Sequence, residues 1–271
     1  MHQQPLAFVG GGAMGEAMLS GVLQHNLLPA SHITVAEPRE SRRHELESRY
    51  HVATSDDTLA VVRSAKTVIL AVKPQVLPSL LPSLRGTLAT DALCISIAAG
   101  VQLHTFHDGL NHPLVIRAMP NTPSQIGEGM TVWVPSPDVT AEQRAWAKAL
   151  FGAFGKEQIV EQEAYLDMAT AISGSGPAYV FLILESMIDA GVHLGFSRDV
   201  AEQLVFQTVR GAVEYAAQSD AHLAQLRNAV TSPGGTTAAG LHALMQGGLP
   251  SVLSDGIWAA YQRSQALGRK E

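Results

Sequence analysis

The sequence predicts an α/β chain in two parts: a doubly wound parallel-sheet domain over residues 1–161, then an all-α domain over residues 162–271. Three observations point there. Short apolar runs rich in Val, Ile and aromatic residues alternate with helical patterns through the first part. Several of these runs are apolar on consecutive residues, as in strands buried on both faces of a sheet. Beyond about residue 162 such runs stop, and Ala-, Leu- and Gln-rich helical patterns take over.

Taken in order, PLAFV (5–9) reads as the first strand and AMGEAMLSGVLQ as the helix that follows it. HITVAE, TVILAVK, ALCISIA, LVIRAMP and GMTVWV repeat the strand pattern, with polar or helical stretches such as PRESRRHELESRY between them. KEQIVE (156–161) is the last expected strand. In the second part, residues 175–193, 197–217, 220–229 and 250–266 read as helices. Ser175 is the expected N-cap of the first and Ser197 of the second, with Gly195 just past the end of the first. The apolar stripes of these helices are expected to bury against a second copy of the chain as well as against each other.

Composition excludes several classes. Hydrophobic residues make up 46% of the chain and charged residues 15%, which fits a compact globular protein. The net charge is −6 with no basic block, which argues against nucleic acid as a partner. A lone cysteine, Cys94, cannot close an internal disulfide, so a reducing, cytoplasmic home is expected. The N-terminus lacks the pattern of a secretory signal. The stretch AYVFLILESMIDAGV carries Glu185 and Asp189 and is read as too short to span a bilayer, so no membrane is expected. No Asp, Glu or Cys completes a ligand set of known spacing with His104 and His107, so no metal is expected either.

The chemistry begins at GGGAMG (10–15), where Gly10, Gly12 and Gly15 form G-x-G-x-x-G between the first strand and its helix. Gly10 permits the tight turn, Gly12 admits a pyrophosphate to the free amides of the helix, and Gly15 lets the helix pack close. In that strand–turn–helix setting the motif predicts a Rossmann-like dinucleotide site. The end of the next strand supplies both signals for the cofactor. Glu37 suits a ribose 2′-hydroxyl, whereas Arg39, Arg42 and Arg43 suit a 2′-phosphate or simply form a solvated helix face. The choice between NADPH and NADH stays open on these residues. AVKPQV (71–76) and RAMPNTP (117–123) lie at further expected strand ends, where open sheets bind ligands. Pro74 halts its strand and exposes the backbone about Lys73, and Asn121 sits on a stiff turn.

Together FVGGGAMGEAM (8–18), LAVKPQ (70–75), SIAAG (96–100), RAMPNTP (117–123), SGSGPAYVF (173–181) and VTSPGGTTAAGL (230–241) resemble the pyrroline-5-carboxylate reductases, in the family's order. The resemblance implies reduction of the cyclic imine 1-pyrroline-5-carboxylate to L-proline with NADPH or NADH. It also implies a helical domain that interlocks with a second subunit as a homodimer, assembled in some members into larger rings. By position it carries cofactor contacts onto Ala13, Met14, Ala71, Val72, Lys73, Pro74 and Asn121. Substrate contacts fall on Ser232, Gly234, Gly235, Thr236 and Thr237. Two positions depart from the usual pattern: Ala13 stands where the family has Asn, and Glu37 stands where NADPH-preferring members have a small or neutral polar residue.

The substrate segment has a physical logic of its own. Gly234 and Gly235 bring backbone amides together, Ser232 and Thr237 add hydroxyls, and the helix after Thr236 presents its positive end. That suits a carboxylate without any cationic side chain, and leaves Thr237 as the candidate catalytic group at the ring nitrogen. Asp220 is expected to cap the helix before this segment. Two rivals are a β-hydroxyacid dehydrogenase and a non-catalytic nucleotide-binding regulator. The first needs a lysine four residues after its G-S-G segment, where this chain has Val180; the second predicts loss of the Ser, Thr and double Gly that are present.

Overall fold

The computed structural model describes residues 4–268. The chain runs β1 (Leu6–Val9), α1 (Ala13–Gln24), β2 (Ile33–Ala36), α2 (Glu40–Tyr50), β3 (Ala53–Ser55), α3 (Thr58–Arg63) and β4 (Thr67–Leu70). It continues through α4 (Leu77–Leu84), β5 (Leu93–Ser96), α5 (Leu103–Leu110), β6 (Val115–Met119), β7 (Gly129–Pro135), α6 (Ala141–Gly152) and β8 (Gly155–Ile159). Helices α7 (Ala164–Ala169), α8 (Gly176–His193), α9 (Arg198–Ala217), α10 (Leu223–Ala229), α11 (Thr236–Gln246) and α12 (Leu249–Gly268) follow. By packing, the chain divides into one unit that ends at Ser175 and resumes at Ala260, and a second unit, Gly176–Ala259.

In the first unit the described strands form one eight-stranded sheet in the order β3-β2-β1-β4-β5-β6-β7-β8. Consecutive apolar residues alternate between its faces. Leu6 and Phe8 meet Met18, Leu19 and Val22 of α1, while Ala7 and Val9 pack with α3 and α4 through Val62 and Leu77. Covering on both faces is why these strands show no polar alternation. One pairing departs from an all-parallel sheet: β6 and β7 are antiparallel. The loop between them is too short for the crossover that a parallel return requires, whereas α6 supplies it between β7 and β8. Strand β3 carried no apolar signal because it is a three-residue edge strand, half exposed and paired on one side.

Residues 162–175 pack with the sheet unit, which differs from the change of pattern at 161/162. Leu166 of α7 joins Val132 and Val134 of β7 in a small core. Buried Arg117 on β6 donates to Glu163 at 2.8 Å and lies 3.6 Å from Asp167. Glu163 also accepts from the Leu103 amide, and Asp167 from the Ser264 hydroxyl of α12. A buried guanidinium needs such partners, so this network ties α7 and the end of α12 to the sheet.

The long apolar helix also begins earlier than expected. A π-helical turn, Thr170–Gly174, joins α7 to α8, and the Thr170 and Ser173 hydroxyls donate to carbonyls four residues back. Ser175 is therefore no extended N-cap: its backbone is helical and its amide donates to Thr170. The helix spans 30 residues, Ala164–His193, long and apolar enough by length and composition alone to cross a membrane. That corrects the reading of this stretch as too short.

In the second unit α8 and α9 pack as a hairpin around Ile188, Ala201 and Val205. Gly195, at φ +112°, makes the bend that a side chain would strain. Ser197 caps α9 by accepting from the Val200 amide. Phe181, Leu182, Phe206 and Val213 remain exposed. Helix α10 is capped by His222, whose Nδ1 accepts from Ala224 while Gln225 completes the capping box, so Asp220 is not the cap.

Candidate active site

Four of the expected cofactor segments lie at the C-terminal ends of parallel or adjoining strands. Gly10 follows β1, Glu37 follows β2, Ala71 follows β4 and Asn121 follows β6. Strand β1 sits between β2 and β4, where the chain's progress across the sheet reverses, so the glycine loop occupies the crevice in which such sheets bind nucleotides.

The three motif glycines have distinct surroundings. Gly10 has φ +103°, and a Cβ there would lie 2.7 Å from the Ala71 carbonyl oxygen. A Cβ on Gly15 would lie 2.6 Å from the Gly10 oxygen. These two let α1, β1 and the end of β4 approach one another. Gly12 differs: a Cβ there meets nothing within 4 Å. It is the N-cap of α1, and no side chain caps the turn that Ala13 and Met14 open. Exposed first-turn amides beside open space fit a dinucleotide pyrophosphate.

Below the loop, Glu37 is buried at 4% exposure. Its Oε2 accepts from the Gly11 amide at 3.1 Å, and its Oε1 from the Arg39 amide at 3.2 Å and Nε at 2.8 Å. Burial pushes this carboxyl up, but the Arg39 and Gly11 hydrogen bonds with the Arg39 charge outweigh it, leaving the group below the usual carboxylate range. Gly11 is a residue the sequence reading missed. A Cβ there would stand 2.7 Å from Leu46 and 3.3 Å from Glu37.

The arginines do not form a solvated face. Arg42 donates to the Gly11 carbonyl and pairs with Glu16 and Glu45. Arg43 donates to the carbonyls of Glu37 and Pro38. Arg39 alone is largely exposed, and it is paired with Glu37. Glu16, also missed, accepts from Arg42, Arg49 and Tyr50 across 26 to 34 residues, a separation no local pattern signals. Burial raises its carboxyl, but the bonds from Arg42 and Tyr50 and both arginine charges hold it below its reference value of 4.5. A carboxylate depressed in the folded state stabilises above the unfolded value and loses that contribution as pH falls through the folded one. The wild-type melting temperature should therefore fall more steeply below pH 4.5 than that of Glu16→Gln. The difference amounts to about 1–2 kcal/mol, the worth of a charged hydrogen bond. Parallel melting curves for the two proteins from pH 7 to pH 3 would disprove the assignment.

Lys73 is exposed in extended backbone, and Pro74 starts a one-turn helix beside it; Val72 is half-buried. Asn121 is held internally. Its amide donates to the Ser173 carbonyl at 3.1 Å and its oxygen accepts from the Met130 amide at 2.8 Å. That fastens the end of β6 to β7 and to the π turn.

In the second unit the segment 230–237 forms a tight turn into α11. Gly234 has φ +70°, and the Gly235 amide donates to the Ser232 carbonyl at 3.0 Å. Gly235 is the N-cap of α11, with no side-chain cap. Its missing Cβ matters, because one would lie 2.4 Å from the Ser232 hydroxyl oxygen. Ser232, Thr236 and Thr237 are all exposed. The turn thus gathers two candidate hydroxyls and a set of first-turn amides at a positive helix end.

A family model described as pyrroline-5-carboxylate reductase dimerisation matches residues 163–267. One described as NADP oxidoreductase, coenzyme F420-dependent, matches residues 5–100. The chain is 43% identical over 266 residues to a pyrroline-5-carboxylate reductase of Synechocystis sp., covering 98% of each chain. It is 39% identical to the Pisum sativum enzyme of that name, covering 97% of this chain and 95% of that one. The chain belongs to the pyrroline-5-carboxylate reductase family. A solved pyrroline carboxylate reductase of Plasmodium falciparum with NADP bound superposes with a TM-score of 0.91 at 31% identity, over 99% of both chains. The segment matched by the dimerisation model contains the apolar side chains left exposed on α8 and α9.

Proposed function

We propose that this chain is an NAD(P)H-dependent oxidoreductase that reduces 1-pyrroline-5-carboxylate to L-proline, the last step of proline formation. The observation that carries the reading is the Ser232–Thr237 turn, a helix start with no side-chain cap, in a chain whose full-length relatives bear this enzyme's name. A bound reduced nicotinamide would supply a hydride to the carbon of the protonated imine, whose nitrogen already carries the proton the amine needs. Ser232 and the first-turn amides of α11 hold the substrate carboxylate, with Gly234, Gly235 and Thr236 shaping the turn; the Gly235 amide itself is taken by the Ser232 carbonyl. Thr237 donates to or accepts from the ring nitrogen as imine becomes amine, and is the candidate catalytic residue. Such a reaction depends on alignment more than on a strong acid.

On the cofactor side, Gly10, Gly12, Ala13, Met14 and Gly15 cradle the pyrophosphate. Glu37 and Arg39 face the adenosine ribose, and Ala71, Val72, Lys73 and Pro74 line the path towards the nicotinamide. Asn121, with its amide bonded internally, acts here as a positioning residue that shapes the end of β6. Within residues 162–271, the unit Gly176–Ala259 serves as the substrate and dimerisation domain, paired in a homodimer that surface contacts extend into a ring. A sole, buried cysteine, pushed up to about 12 by burial, suits a soluble cytoplasmic enzyme.

The direct test mixes protein, NADH or NADPH, and pyrroline-5-carboxylate, and follows loss of reduced-nicotinamide absorbance. Oxidation that requires the imine is expected. Its absence with both cofactors would sink the reductase reading, and turnover of a 3-hydroxyacid instead would favour the dehydrogenase alternative.

A further inference from the structure

We propose that Glu37 makes this protein prefer NADH: its carboxylate, fixed beneath the glycine loop, accepts the 2′-hydroxyl of the adenosine ribose and turns away a 2′-phosphate. The inference rests on the dinucleotide reading of the glycine loop and adds a specificity to it. The carboxylate stands at the end of β2 and is bonded to the Gly11 amide, so it cannot retreat from the loop without breaking that contact. Its burial matters too, because a charge shielded from water repels a phosphate dianion far more than an exposed one does.

The arginines that would favour a 2′-phosphate are already occupied. The depression beside the loop is lined by Gly12, Ala13, Glu16, Arg39, Arg42 and Glu45. Arg42 is held there by Glu16, Glu45 and the Gly11 carbonyl. Arg43 faces the backbone of Glu37 and Pro38. Arg39 is the exposed one, and its Nε is bonded to Glu37 itself. Glu16, Glu37 and Glu45 thus offset Arg39 and Arg42, the two arginines that line this end of the crevice. A phosphate would have to share cations already engaged by carboxylates and carbonyls and stand beside the Glu37 carboxylate, whereas a hydroxyl needs only the acceptor already present.

Calorimetric titration of the intact protein with NAD⁺ and with NADP⁺ tests this without turnover. The wild type should bind NAD⁺ at least about tenfold more tightly, and Glu37→Ser should raise NADP⁺ affinity about tenfold or more while weakening NAD⁺. Glu37→Gln keeps the acceptor for Gly11 without the charge, so it should narrow the ratio even if the serine variant fails to fold. Equal or tighter binding of NADP⁺ by the wild type, or an unchanged ratio in the variants, would overturn the inference. So would a selective loss of NADP⁺ binding in Arg39→Ala, which would make Arg39 a phosphate partner. Binding of neither dinucleotide would remove the glycine-loop reading along with it. Tight NAD⁺ binding without imine reduction would instead break only the reductase reading.

Discussion

Gly12→Val should leave the protein folded and abolish dinucleotide binding. The backbone at Gly12 has φ −70° and ψ −179°, extended geometry open to any residue. Apart from its chain neighbours, a Cβ there meets nothing within 4 Å. The substitution therefore creates neither strain nor clash, and thermal stability should stay within about 1 kcal/mol of wild type, given that glycine is only a modest N-cap. The same open space is where a pyrophosphate must approach the first amides of α1. A branched side chain filling it should weaken NAD⁺ and NADP⁺ binding about a hundredfold or more, a loss of about 3 kcal/mol. Gly15→Val is the contrasting variant. Its Cβ would sit 2.6 Å from the Gly10 oxygen, so its melting temperature should collapse along with binding. Calorimetry and a melting curve on both variants separate the two roles, and undiminished affinity in Gly12→Val would show that the pyrophosphate lies elsewhere.

Thr237→Ala should lower kcat/KM for imine reduction about a hundredfold, mostly through kcat. Thr237 is exposed in the first turn of α11, where alanine is the better helix former, so the fold loses nothing by the change. What disappears is the hydroxyl assigned to the ring nitrogen, and removal of one positioned hydrogen-bonding group typically costs that much in rate. Thr237→Ser keeps the hydroxyl and should recover much of the activity. Ser232→Ala, by contrast, should act mainly on KM, because its hydroxyl is assigned to a carboxylate held in both ground and transition states. Wild-type kcat/KM in Thr237→Ala would remove Thr237 from the mechanism.

The backbone geometry of both candidate sites was legible in the sequence because each is local. A glycine triplet between strand and helix, or SPGGTT before a small-residue helix, states its own backbone geometry within a dozen residues. Ser197 as a cap and Gly195 as a bend were legible for the same reason. Misreadings arose where a distant partner decided the outcome. Ser175 looked like a cap, yet Thr170 and Ser173 carry the chain through a π turn into a helix that began at Ala164. The internal bonds of Asn121 were not legible either: the Met130 amide and the Ser173 carbonyl each engage its side chain, leaving one N–H and one lone pair for a ligand.

The sequence by itself determined the alternation of strands and helices, the glycine loop, the uncapped start of α11 and the family. These depend on backbone conformations and burial periods that neighbouring residues impose. Only the tertiary structure decided that β7 turns back antiparallel, and that residues 162–175 pack with the sheet through Leu166 and Arg117. It also decided the standing of Glu37 against the arginines. In sequence they were a carboxylate and three cations in competition for one ribose. In the fold the carboxylate is buried under Gly11 and the cations are bound to acidic side chains and carbonyls. Charge acts through distance and dielectric, and both are set by packing rather than by order along the chain.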